Sequence, residues 1–547
     1  MNLNLLPLAL SALCLLSACQ AAPSSESAQP SASDATVTVS AAAQTDTTLF
    51  SERDLAGTYD ADSAIAIQLT GGSASCDSSA VAIDGGTVTI TAEGVYLLSG
   101  TLTDGQIRVA AEDTAKVQLV LDGADITSPT SAAIYAYSAD KVFVTLAEGS
   151  ENTLTNGGSY VAIDENNVDA VLFAKTDLTL NGTGSLTINA QDGHGVVSKD
   201  DLVIADGTYT VTAASTGFTG KDSLSIAGGT FTVTSGKDAL HAENTDDATL
   251  GSLYIADGVF TLDAQGDGIS ASGTLQIDGG TFSVVTGGGS STVTLTSSES
   301  FGAGRPGETQ TQTSSASTEE TDTASTKGLK ADGSLTLNGG TFTLDTADDS
   351  LHAGGDILIA SGEFNLSSGD DAIHSDAAVT IRGGTFTIPY CYEGIEGLSI
   401  TIDDGTFDIT SYDDGVNAAG GADGSGFGPR QDTFSSTSSS TSSITINGGT
   451  FTIVSTGDCL DSNGDLTING GTLDLTCNGS GNTTLDTDGT FTNNGGDLTT
   501  NDGSESNPGG MAGGHGGGMM GGGGRGGQAA PSGMPNAGSG SAEIPSA

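Results

Sequence analysis

Apolar and polar residues alternate along most of the chain in short runs, and the runs recur in a fixed order. From about residue 175 the phrase Leu224-Ser-Ile-Ala-Gly-Gly-Thr-Phe231-Thr-Val returns as Leu253-Tyr-Ile-Ala-Asp-Gly-Val-Phe260-Thr-Leu and Leu275-Gln-Ile-Asp-Gly-Gly-Thr-Phe282-Ser-Val. It returns again ending at Phe342, Phe364, Phe386, Phe407, Phe451 and Leu473. Phe342, Phe364 and Phe386 are spaced by 22 residues, Phe386 and Phe407 by 21, and Phe451 and Leu473 by 22. A period of two puts alternate side chains on opposite faces of a strand, and the Gly-Gly or Asp-Gly pairs between runs are turn formers. A third apolar position follows nine residues after each Phe, at Leu240, Ile269, Leu351, Ile373, Ile395, Val416 and Leu460.

Three short strands in each unit predict an all-β fold, a parallel β-helix in which each coil lies about 4.8 Å above the last. Inward residues then stack into ladders of Ile, Leu, Val and Phe. A β-propeller needs units of roughly 40–50 residues with four strands, and the Gly-Gly-x-Gly-x-Asp repeat of a calcium β-roll is absent. The body spans 175–500. Residues 49–174 carry weaker repeats, such as Val88-Thr-Ile-Thr-Ala-Glu-Gly-Val-Tyr-Leu-Leu, and read as the N-terminal coils and cap of the same solenoid. Ser/Thr/Gly-rich inserts at 287–327 and 419–442 are expected to leave as loops from one side. The Gly-rich tail, 501–547, has too few apolar residues for a core and reads as disordered.

Composition fits a narrow core column: of 547 residues 82 are Gly, 36% are hydrophobic and none is Trp. Charge is lopsided, with 68 acidic residues against 14 basic and a net charge of −54. That excludes nucleic acid, whose phosphates require a basic face. Residues 1–18 hold an apolar stretch shorter than the roughly 20 residues that span a bilayer. It ends in Leu16-Ser17-Ala18-Cys19. This reads as a lipoprotein signal cut before Cys19, the lipidation site, although no Lys or Arg precedes the apolar run. Residues 19–48 read as a flexible tether. The expected product is an extracellular or cell-envelope monomer that touches a membrane only through its lipid. Cys76, Cys391, Cys459 and Cys477 are too few for a disulfide framework, and a Cys459–Cys477 pair stays open.

The candidate chemistry is acidic. Seven residues past the Phe position stand Asp238, Asp267, Asp349, Asp371, Glu393, Asp414 and Asp458, often preceded by a second acid (Asp348, Asp370, Asp413). Equal offsets stack vertically on a β-helix, and unit charges about 4 Å apart repel by around 1 kcal/mol in water and more near a protein surface. Hard divalent cations with oxygen ligands would neutralise such a column, and Ca²⁺ takes 6–8 oxygens with flexible geometry. The expected ligands are Asp348, Asp349, Asp370, Asp371 and Glu393, then Asp413 and Asp414. Turn preference alone explains acids at corners, but not acids where Asn or Ser would turn as well. Ten residues past Phe stand His241, His352 and His374, positioned either to meet sugar hydroxyls or to satisfy a neighbouring Asp.

The repeated Leu-x-Ile-x-Gly-Gly-Thr-Phe, the Asp-Asp-Ala-Ile-His type of turn and the opening Gly94-Val-Tyr-Leu-Leu-Ser-Gly-Thr-Leu resemble a family of secreted bacterial carbohydrate-binding proteins. The resemblance covers about residues 50–490. It implies a right-handed parallel β-helix, polysaccharide-lyase-like in shape, associated with calcium and binding polysaccharides such as cellulose or polygalacturonate.

Three functions stay open. The first is calcium-dependent binding of a polysaccharide, preferentially an anionic one, with Tyr390, Tyr392 and Tyr412 as a stacking platform beside His352 and His374. The second is a calcium-dependent polysaccharide lyase, which needs a base; among eight Lys and six Arg the best placed is Lys237, then Arg382. Lys199 and Lys221 stack at 22-residue spacing, and each is expected to pair with an Asp. The third is a surface adhesin or spacer.

Overall fold

Backbone N–H and C=O groups of short strands can be satisfied only by neighbours, and here each coil satisfies the next. A computed structural model of the chain describes residues 49–295, 325–419, 442–506 and 508. The expected signal peptide, Cys19, the tether, the middle of both inserts and the tail beyond 508 lie outside them.

Each coil carries three strands, and each strand pairs in parallel with its counterpart one coil away. In the first ladder Leu224 faces Leu253, then Leu275, then Leu335. The second ladder runs Tyr209, Phe231, Phe260, Phe282, Phe342, Phe364, Phe386, Phe407, Phe451 and Leu473. The third runs Phe218, Leu240, Ile269, Leu329, Leu351, Ile373, Ile395, Val416 and Leu460. The three apolar positions of the sequence repeat are therefore the three inward columns of a β-helix-like solenoid, and together they form one continuous buried core.

The rise between hydrogen-bonded strands fixes the distance between stacked rings. From Phe231 to Phe451 successive ring centroids lie 4.5–5.0 Å apart with planes within 5° of parallel. Each buried ring contributes roughly 1.5–3 kcal/mol. The glycine two residues before each Phe makes the corner possible. Gly384 has φ +126°, and a Cβ there would meet the Gly362 carbonyl oxygen at 3.0 Å and the Phe386 ring at 3.2 Å.

Parallel pairing continues through Ile65–Gly71, Gly94–Leu102 and Lys116–Ser128, so the weak N-terminal repeats belong to the same ladders. Two antiparallel pairs, Ile65–Gly71 with Ala74–Ser75 and Val81–Asp84 with Thr87–Ile90, finish that end. The helix Glu52–Ala56, opened by a capping box of Ser51 and Asp54, docks where Asp54 meets Lys141 at 2.8 Å and Thr179 at 2.6 Å. At the other end Asp502 and Ser504 bond Thr484, so residues 501–506 close the last coil rather than starting the tail.

The inserts do not leave from one side. The first interrupts a coil between the strands Thr281–Thr286 and Leu329–Ala331, and the second lies between Val416–Ala418 and Ser443–Ile446. They depart at different corners because they follow different strands of the coil. Cys76, Cys391, Cys459 and Cys477 are free thiols. No helix among the described residues is long and apolar enough to cross a membrane.

Candidate functional site

The acid column occupies the corner between the second and third strands, two residues before each inward residue of the third ladder. One carboxylate oxygen of each aspartate in the column accepts the backbone N–H of the next level, whereas Glu393 accepts the Asn417 side-chain amide. Asp238 takes that of Asp267 at 2.8 Å, Asp349 that of Asp371 at 3.0 Å, Asp371 that of Glu393 at 3.0 Å, and Asp414 that of Asp458 at 2.6 Å. The second oxygen faces outward to a cationic or titratable partner: Asp349 to His352 at 3.0 Å, Asp371 to His374 at 3.1 Å, Asp238 to His241 at 2.7 Å. Asparagine could cap the N–H, but its amide group would present a donor where an acceptor is used. This double duty explains acids at a corner where Asn would turn equally well.

The interrupted coil breaks the column. Counting back two from Leu329 puts Lys327 at the acid register, where its backbone N–H bonds Asp267 at 2.7 Å. Its buried ammonium lies 2.6 Å from Asp349 and 3.2 Å from Asp348. The protein thus supplies its own cation at two of the expected calcium ligands. Burial pushes Asp349 up, but the charge of Lys327 and the bond from His352 outweigh it and hold it well below the usual carboxylate range.

A second polar row, the middle residues of the third strands, runs beside the acids: His241, Ser270, Lys330, His352, His374, Glu396, Asn417, Asp461 and Asp486. Asp371, His374 and Glu396 form a buried cluster in which His374 Nδ1 lies 2.9 Å from Glu396 and its Nε2 3.3 Å from Asp376. Burial opposes charging of His374, yet the bonds to Asp371, Asp376 and Glu396 push it well up. His352 shifts down, through burial and the nearby Lys327. The rings of His352 and His374 stack 5.3 Å apart. Both are buried and bonded to carboxylates, so what the structure gives these two histidines is the role of satisfying an Asp.

Towards the C-terminal end no built-in cation appears among the described residues. Burial, with neighbouring carboxylates, pushes Glu393 and Asp414 well up, Asp458 to about 6 and Asp461 to about 7. Oxygen atoms of Asp458, Asp461 and Asp486 lie within 4.8 Å of one another, at partly exposed positions. Asp348, Asp349 and Asp370 converge in the same way, and so do Asp177, Asp200 and Asp201 on another corner. Asp486 and the Asp177 group escaped the sequence reading; Asp486 stands one coil beyond Asp461 in the third ladder. Asp413 accepts the Tyr392 hydroxyl at 2.5 Å.

The aromatic platform is narrower than expected. Tyr390 and Tyr412 are 36% and 37% exposed, but Tyr392 is 2% exposed. The pairing register shifts between Ile388 and Cys391, which turns Cys391 into the core, while Tyr392 lies buried at the corner with its ring 6.3 Å from that of Tyr412 and its hydroxyl on Asp413. Lys237 lines a cleft with Lys199, His194, His241 and Asp238, at the N-terminal end of the acid column.

The family described as carbohydrate-binding domain-containing protein matches residues 84–372, 354–426 and 373–481. A carbohydrate-binding domain-containing protein of Acetivibrio thermocellus is 42% identical over 128 residues, which cover 23% of this chain and 45% of that protein. The chain therefore spans less than half the length of this curated relative. A solved structure, of the polysaccharide lyase-like protein from C. thermocellum as a gadolinium derivative, is 34% identical, covers 41% of this chain and 92% of its own, and has a TM-score of 0.40. On the extent of the family match, the chain belongs to the carbohydrate-binding domain-containing protein family.

Proposed function

We propose that the protein binds a polysaccharide, preferentially an anionic one such as polygalacturonate, through calcium held on the carboxylate face, as an exported protein tethered by lipid on Cys19. The observation that carries the calcium part is the convergence of Asp458, Asp461 and Asp486 within 4.8 Å at partly exposed positions, where burial and neighbouring carboxylates raise the proton affinity of Asp458 and Asp461. Three carboxylates supply up to six hard oxygens, and water and sugar oxygens complete the shell of a Ca²⁺ ion. Asp413, Asp414 and Glu393 extend the same face. Asp348 and Asp349 are weaker candidates than the repeat suggests, because Lys327 already neutralises them.

A chain of net charge −54 repels an anionic glycan unless a cation bridges the two. Bound Ca²⁺ would supply that bridge, with Tyr390 and Tyr412 offering ring faces nearby. The hand of the coil is read as right-handed, the hand that parallel crossover connections take. Retention of the protein on immobilised polygalacturonate and on cellulose, with calcium and with EDTA, tests this reading. Asp461→Asn is expected to lower calcium-dependent retention, and Tyr412→Ala to weaken it about 2–10-fold, as loss of one stacking contact does. Retention that ignores EDTA would remove calcium from the account, and retention on no glycan would remove the rest.

A further inference from the structure

The chain carries only 14 basic residues, and their placement is uneven. Lys175, Lys199 and Lys221 occupy the same register on three consecutive coils, each following the last residue of a third-ladder strand. Lys199 and Lys221 line a cleft of about 380 Å³ together with Lys237, His194 and His241. Lys175 sits over the Tyr137 ring at 5.1 Å, and Arg108 over the same ring at 4.4 Å, so the basic row continues on an aromatic support.

Carboxylates are present but do not consume this charge. Asp238 and Glu243 in the cleft both face His241, at 2.7 and 3.3 Å, and Asp246 holds Lys221 at 2.6 Å. Among the described residues neither Lys199 nor Lys237 forms an ion pair, although both are exposed in a strongly acidic protein. Lys199 instead lies over the Phe173 ring at 5.5 Å. The Thr219 hydroxyl on the cleft wall is buried and has no hydrogen-bond partner among the described residues. Burial lowers the His194 imidazole, Asp169 opposes this, and the positive Lys199, Lys237 and His241 add to the fall.

We infer that this cleft is a second, metal-independent site that takes an anionic group of a saccharide, a carboxylate or sulfate, between the ammonium groups of Lys199 and Lys237 and the Thr219 hydroxyl. Two ammonium groups without carboxylate partners supply the charge, and the hydroxyl supplies a directional donor. The lysine row runs along the solenoid axis, so a chain of anionic sugars would lie parallel to it with successive charges near successive coils. The cleft meets the carboxylate column at its N-terminal end, where Asp238 and His241 line it, but it takes its charge from the lysines and needs no metal.

The test is calorimetric titration of the full protein in EDTA, where the carboxylate face holds no calcium. The probes are trigalacturonate, inorganic sulfate and uncharged maltotriose. Trigalacturonate is expected to bind, maltotriose not. Lys199→Ala/Lys237→Ala should lose at least 10-fold in affinity with an unchanged circular dichroism spectrum, and Lys237→Arg should keep most of it. Lys116→Ala, which removes one exposed positive charge outside the cleft, should change affinity less than 2-fold. Equal losses from Lys116→Ala would reduce the effect to net charge and overturn the site. Binding of sulfate without trigalacturonate would overturn the saccharide assignment, and absence of anion binding in EDTA would overturn the whole inference while leaving calcium-dependent binding untouched.

Discussion

Replacing Lys327 with Met removes one buried cation and keeps most of the side-chain volume. In the native protein the ammonium lies 2.6 Å from Asp349 and 3.2 Å from Asp348, with Lys327 1% and Asp349 0% exposed. Without it, Asp349 stands beside Asp348 and Asp371 with the Asp371 N–H, His352 and the more distant His374 left to stabilise its charge. Breaking one side of a buried ion pair costs about 3–5 kcal/mol. With an unfolding entropy of about 2.1 cal/mol/K per residue over roughly 400 residues, that loss lowers Tm by roughly 4–6 °C if the body melts as a unit. Calorimetry at pH 7 reads it directly. Adding Asp349→Asn should recover much of the loss, since the Asn carbonyl still accepts the Asp371 N–H and no buried charge is left alone. The defect should also shrink on acidification, because His352 no longer faces Lys327 and can charge against Asp349. A Lys327→Met protein within about 1 °C of wild type, or a double variant no better than the single, would refute the idea that this lysine is the column's own counter-ion.

The pH dependence of the metal-free protein should have the opposite sign to that of most acid-stabilised folds. Asp267 and Asp458 are pushed up to about 6 and Asp461 to about 7, by burial and by neighbouring carboxylates. An acid raised in the folded state contributes stability below its unfolded value of 3.8 and loses it as pH rises through the folded value. Stability in EDTA, read as melting temperature, is therefore expected to fall between about pH 4 and pH 7, by about 3–4 kcal/mol for each group taken alone, and millimolar calcium should cancel much of the fall; a flat or rising profile would contradict it. Phe342→Ala opens a hole in the ring stack and should cost about 3–5 kcal/mol. Hydrogen exchange should show that loss concentrated in the adjoining coils, because a solenoid couples mainly neighbours. Gly384→Ala should cost about 1–3 kcal/mol through its left-handed backbone, read by urea unfolding, whereas substitution at Gly72, which has no left-handed φ and meets no neighbouring atom within 4 Å, should cost less.

Most of the ladder register was legible because the repeat states it. Phe spacing, the third apolar position and the column of acids are all consequences of equal offsets on equal coils. The parts that were not legible share a cause: the offset rule fails where a coil is irregular. Counting seven past Phe282 lands in the insert, so Lys327 stayed hidden, although counting back from Leu329 finds it. The register slip after Pro389 turned Cys391 into the core, and Tyr392 is covered at the corner beside Tyr412 and Asp413, which takes it out of the exposed aromatic platform. The use of each carboxylate for the next coil's N–H is a relation between levels, visible only once the levels are in place. The basic cleft was legible only in part: Lys199 and Lys221 share a register, but His194 and Lys237 stand at other positions of their coils and join them only in the fold.

Calcium-dependent recognition of a glycan is tested most directly by titrating Ca²⁺ into the metal-stripped protein, and then polygalacturonate into the stripped and the calcium-loaded forms. Calcium should bind, and its presence should raise polygalacturonate affinity at least 10-fold in the wild type but not in Asp461→Asn. Polygalacturonate affinity that is the same with and without calcium, in a protein that takes up no calcium at the Asp458, Asp461 and Asp486 cluster, would contradict the account.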